Sequence, residues 1–104
     1  MPTCSENCVD KSHTDTDKAI DEYASGAITF EQLRARIDDI RAALKACVEA
    51  CKSAEFAACF ATLKADDTAK LDEYENHNIN DAEAKQALRA NAAAYLACTG
   101  GPGS

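Results

Sequence analysis

The sequence predicts an all-α fold, a disulfide-stapled four-helix bundle made of two tandem helical hairpins. Three observations predict it. Glycine occurs only at 26, 100, 101 and 103 and proline only at 2 and 102, so helix-forming sequence runs almost unbroken between them. The chain also matches itself without a gap at an offset of 51: Cys8 falls on Cys59, Cys47 on Cys98 and Asp21-Glu22-Tyr23 on Asp72-Glu73-Tyr74. That offset implies an internal duplication with pseudo-twofold symmetry. Finally, the six cysteines stand at mirror-image distances from the two expected turns. At 104 residues the chain is read as one domain, with repeat one at 4–51, repeat two at 55–99 and a flexible tail at 100–104.

The first helix is expected from about Ser5 to Ser25, with Gly26 as its left-handed terminator. Its middle, residues 12–17, is polar and rich in capping residues, so a break with a restart on Thr14 or Asp15 is expected. The second helix, in residues 28–52, organises the rest. Thr29 and Gln32 form a capping box, and Leu33, Ile37, Ile40, Leu44, Cys47 and Cys51 follow the 4-3-4-3-4 spacing of a packing seam. A third helix is expected from about Ala54 to Glu75, with Phe56, Cys59, Phe60, Leu63, Leu71 and Tyr74 on one side. Asn80 and Glu83 cap a fourth, which turns Ala84, Leu88, Tyr95 and Cys98 inward; Asn91 falls where the first repeat has Ile40 and is expected to rotate outward. Nothing forbids one long helix across residues 52–53, although Ser53 as an N-cap favours a break.

Residues that face each other in an antiparallel hairpin have a constant mean position. Cys4 and Cys51, and likewise Cys8 and Cys47, average 27.5, while Cys59 and Cys98 average 78.5. Both midpoints lie in expected turns. Disulfides Cys4–Cys51, Cys8–Cys47 and Cys59–Cys98 follow, closing loops of roughly forty to fifty residues, each worth roughly 3–4 kcal/mol in the chain-entropy model. For a small alanine-rich core such staples decide whether the chain folds. The rival reading of Cys4, Cys8, Cys47 and Cys51 is a thiolate site for zinc or copper, and a third is redox switching. The Cys-x₃-Cys…Cys-x₃-Cys arrangement of those four residues resembles, in cysteine topology, the plant α-hairpinin defence peptides and the small Tim chaperones of the mitochondrial intermembrane space. Both families pair outer with outer and inner with inner cysteine. The resemblance covers those four residues only, across a longer intervening stretch, and implies the connectivity rather than a function. Copper storage bundles also carry Cys-x₃-Cys on helices, with many more cysteines.

The net charge of −7 argues against nucleic acid and anionic membranes as partners and fits another protein, a basic one in particular. No apolar run approaches a membrane span. The N-terminal stretch has no apolar signal-peptide core, which implies a mature form or synthesis without a leader. Asp21, Glu22, Tyr23, Asp72, Glu73 and Tyr74 gather near the hairpin tips as a candidate partner-binding patch. The plainer reading is a solvated acidic face with the tyrosines packed at the tips and their phenols in water. Asp38 and Asp39 beside Arg34, Arg36 and Arg41 read as surface i,i+3 and i,i+4 pairs. His13 and His77 read as surface residues, and Phe56 and Phe60 as core.

No nucleophile–base set, phosphate loop or His/carboxylate cluster appears, so neither an enzyme nor a cofactor is expected. The expected function is that of a small acidic, cysteine-rich, non-enzymatic binding protein, secreted or in another oxidising compartment, of toxin, pheromone, defence, inhibitor or adaptor type. The alternatives are a copper- or zinc-binding thiolate bundle and an acidic inhibitor of a basic enzyme, comparable in size and charge to helical immunity proteins. The alternative locations are the mitochondrial intermembrane space and the cytoplasm.

Overall fold

A computed structural model describes residues 1–103. Four helices, α1 (Cys4–Ala24), α2 (Phe30–Lys52), α3 (Ala57–Glu75) and α4 (Asp81–Cys98), form two antiparallel hairpins packed as a bundle. Within each hairpin the two helices pack closely, and α1 also packs against α4; α2 and α3 touch more lightly.

Local chemistry fixes each helix end. Thr3 and Glu6 make a capping box that starts α1 one residue before the expected Ser5. The helix then runs unbroken through residues 12–17, contrary to the expected interruption. Ser12 and Thr16 face inward and are buried, so this polar stretch supplies interior groups rather than a break. Gly26, at φ +83°, ends α1 in a Schellman motif: the Ala27 N–H donates to the Glu22 carbonyl and the Gly26 N–H to that of Tyr23. The second hairpin makes the same turn with His77, a non-glycine residue at φ +61°, and bonds from Asn78 to Glu73 and from His77 to Tyr74. Capping boxes Thr29–Gln32 and Asn80–Glu83 restart the chain after each turn.

The chain breaks between the hairpins. Ser53 adopts a left-handed conformation at φ 52° and terminates α2, rather than capping α3 as its sequence suggests. Helix α3 begins later than expected, at Ala57, without a side-chain cap of its own; Glu49 accepts the Phe56 N–H at 2.8 Å instead. Residues 100–102, expected as part of a flexible tail, are hydrogen-bonded over the open end of the bundle: Lys52 donates to the Thr99 and Gly101 carbonyls, and Thr3 and Ser5 to that of Pro102.

The interior divides into two apolar clusters. At the open end Cys8, Val9, Leu44, Val48, Leu63, Ala92, Tyr95 and Leu96 pack together, with Cys51, Phe56, Cys59 and Phe60 at their margin. Towards the turns Ala19, Ile20, Leu33, Ile37, Leu71, Tyr74, Ala84 and Leu88 do the same. The buried stripe of α2 is Leu33, Ile37, Arg41, Leu44 and Val48. Its spacing, 4-4-3-4, departs from the expected seam halfway along: Ile40 is only half-buried, and Arg41 and Val48 take inward places. A straight helix drifts from a strict heptad repeat, so the inward face moves round to Arg41 and Val48. The cysteines flank the stripe.

Candidate functional site

The bundle carries three constellations of side chains: the cysteine pole, a polar layer across the middle and the aromatic tip.

At the pole all six cysteines are paired, Cys4–Cys51, Cys8–Cys47 and Cys59–Cys98, each with Cα atoms 5.8 Å apart. One-turn spacing stacks the first two bridges on the α1–α2 face. The Sγ atoms of Cys8 and Cys51, which belong to different bridges, lie 3.7 Å apart. A cavity of about 30 Å³ beside the Cys8–Cys47 bridge is lined by those two residues, Ser12 and Leu44 among others.

The polar layer separates the two apolar clusters. Arg41 is completely buried. Its Nε donates to Asp67 Oδ2 at 2.8 Å and its Nη2 to Oδ1 at 3.2 Å, a bidentate pair. The same Nη2 donates to the Leu88 carbonyl at 2.7 Å, and Nη1 donates to Ser12 Oγ at 2.9 Å. Asn91 donates to Asp67 Oδ1 at 3.0 Å, so it turns toward the layer instead of rotating outward. One guanidinium thus joins all four helices. Both charges are hydrogen-bonded on several sides, which is what makes burial of an ion pair tolerable. Such an arrangement fixes packing; shut away from solvent and tightly coordinated, it offers no open position for a substrate.

This layer also corrects the expected surface pairing. Arg41 is interior, Arg34 bridges to Asp72 and Glu75 on α3, Arg36 to Glu22 on α1, and Asp38 pairs with Lys64 on α3. The arginines tie helices to one another rather than to their own helix. Sequence reasoning missed the layer because a lone arginine in a charged helix resembles its surface neighbours. The signal was in the alignment of the halves: Thr16 falls on Asp67 and Arg41 on Ala92, so polarity is exchanged between the halves at interior positions.

At the tip Tyr23, Phe30 and Tyr74 form a mutual cluster, with ring centroids 5.1, 5.5 and 5.8 Å apart. Tyr74 is buried and its hydroxyl donates to Asp81 at 2.5 Å, so this phenol is not in water as expected. Burial, and then the Asp81 carboxylate, push it well above the usual tyrosine range. The tip carboxylates engage cations: Asp21 with Lys85, Glu22 with Arg36, Asp72 with Arg34 and Glu73 with Lys70. These six expected partner-binding residues therefore divide between local packing and ion pairing.

His77 is exposed, as expected, but His13 is half-buried in a groove between α1 and α4 with Asp17, Lys85, Gln86 and Arg89. Its Nδ1 is buried without a hydrogen-bond partner among the described residues. Desolvation first, then repulsion from Arg89 and Arg41, hold its pKa below the ordinary value. Phe56 and Phe60 are half-buried at the edge of the open-end cluster; Phe60 meets Tyr95 edge-on at 6.4 Å, with Lys45 and Lys64 over its ring.

Comparison with protein-family models, curated proteins and solved structures gives no match. The structure itself therefore defines the class: a small, disulfide-rich helical protein with, among the described residues, no helix long and apolar enough to cross a membrane.

Proposed function

We propose that this is a small extracytoplasmic binding protein that acts through its surface and performs no catalysis of its own. The observation that carries the reading is the complete pairing of its cysteines, three bridges within one small bundle with none left free. Such a set of structural disulfides survives in an oxidising compartment and is rare in a reducing one. The acidic surface supports a basic protein as the partner, recognised by charge and salt-sensitive accordingly. Two measurements test this. Protein recovered from its native source is expected outside the cytosol with a mass six hydrogens below that of the thiol form; recovery from the cytosol with six free thiols overturns the assignment of compartment. Affinity for the partner cross-linked to it there is expected to fall as salt is raised; an affinity indifferent to salt overturns the acidic-surface reading.

A further inference from the structure

The geometry points to a zinc site that appears when the two stacked bridges are reduced, with Cys4, Cys8, Cys47 and Cys51 as its ligands. The Sγ atoms of Cys8, Cys47 and Cys51 all lie within 4.8 Å of one another. Cys8 and Cys51, which share no bond, are already 3.7 Å apart. In a zinc tetrathiolate with bonds of about 2.3 Å, neighbouring sulfurs stand about 3.8 Å apart. One edge of the required tetrahedron is therefore present in the oxidised fold. The two bonded pairs must part by about the difference between that edge and a disulfide bond, and Cys4, whose Sγ lies outside the close group of three, must swing inward. The cavity of about 30 Å³ beside Cys8 and Cys47 gives their sulfurs room to separate. Cys4 joins as the fourth ligand from the turn below Cys8, held by the same helix.

The second hairpin supplies an internal control. A similar cavity of about 30 Å³ lies beside Cys59 and Cys98. The positions there that correspond to Cys4 and Cys51 are Glu55 and Pro102, so only two sulfurs are at hand and the shell cannot close. The chemistry balances with a dithiol as the reductant. Two equivalents deliver four electrons and four protons, opening Cys4–Cys51 and Cys8–Cys47 to four thiols. Zinc then displaces the four thiol protons as it binds the thiolates, so binding strengthens as pH rises.

The test titrates zinc into phosphine-reduced protein against a chromogenic chelator, with Co²⁺ substitution as a spectroscopic readout and circular dichroism as a readout of folding. One metal per chain is expected, with thiolate-to-cobalt charge-transfer and tetrahedral d–d bands and with helix restored or stabilised on binding. Cys59→Ser/Cys98→Ser should retain that metal. Cys8→Ser/Cys51→Ser should lose the bands and bind zinc roughly 100-fold or more weakly. Equal binding by the two double variants, uptake with no gain in either helix content or melting temperature, or no uptake at all would overturn the site.

Discussion

Replacing Arg41 by methionine tests the polar layer most directly. Methionine follows the same path through the bundle but leaves Asp67, only 3% exposed, with Asn91 as its remaining donor. The Leu88 carbonyl and Ser12 hydroxyl lose their guanidinium partner as well. Breaking a buried pair from one side in this way costs about 3–5 kcal/mol, because the surviving charge stays desolvated. At about 4–8 °C per kcal/mol for a domain of this size, melting should fall by on the order of 15–30 °C. Removing both charges behaves differently. Arg41→Met/Asp67→Leu gives up attraction and desolvation cost together, and should recover most of the loss. Equilibrium urea unfolding of the wild type, both single variants and the double variant, all with disulfides intact, measures the coupling through a double-mutant cycle. A loss under about 1 kcal/mol for Arg41→Met, or a double variant no better than the weaker single one, would refute the account of the layer.

The bridges should differ in worth because two of them are nested. Cys59→Ala/Cys98→Ala releases a whole hairpin and should cost about 4 kcal/mol, whereas Cys4→Ala/Cys51→Ala leaves the inner Cys8–Cys47 clasp and should cost under about 3, both read from urea midpoints. The paired turns offer a contrast of sign: His77→Gly should stabilise by up to about 1 kcal/mol, and Gly26→Ala should destabilise by a similar amount. Among the described residues no atom stands within 4 Å of a Cβ added at Gly26, so its cost is conformational alone. The lowered pKa of His13 means that the unfolded chain binds its proton more readily, so this residue's contribution to stability declines as pH falls through 6.5 toward the lowered folded value. His13→Gln should flatten that part of a stability–pH profile, and an unchanged slope would count against it.

How much of this was legible in the sequence depended on whether the signal was local. The turns were readable because Gly26 and the capping residues Thr29, Gln32, Asn80 and Glu83 act on their own backbone. The bridges were readable because mirror-image spacing about a turn is arithmetic once the hairpin is granted. Interior polarity was harder. Ser12 looks like a helix breaker unless Arg41 is known to lie opposite, and Arg41 looks solvated unless Asp67 is known to meet it 26 residues away. Counting by strict heptads compounded this by choosing Ile40 over Arg41 as the inward residue. The capping of α3 was equally hidden, since Glu49 reaches forward from the preceding helix to do it. That bond, followed by the one from Lys45, lowers the pKa of Glu49.

The layer around Arg41 also decides which hairpin accepts which. Its cation comes from the first hairpin and its anion from the second. Two copies of the first would confront guanidinium with guanidinium, and two of the second carboxylate with carboxylate, each without a counter-ion. If the polypeptide were cut at Ser53, the fragments should therefore seek each other out and shun their own kind.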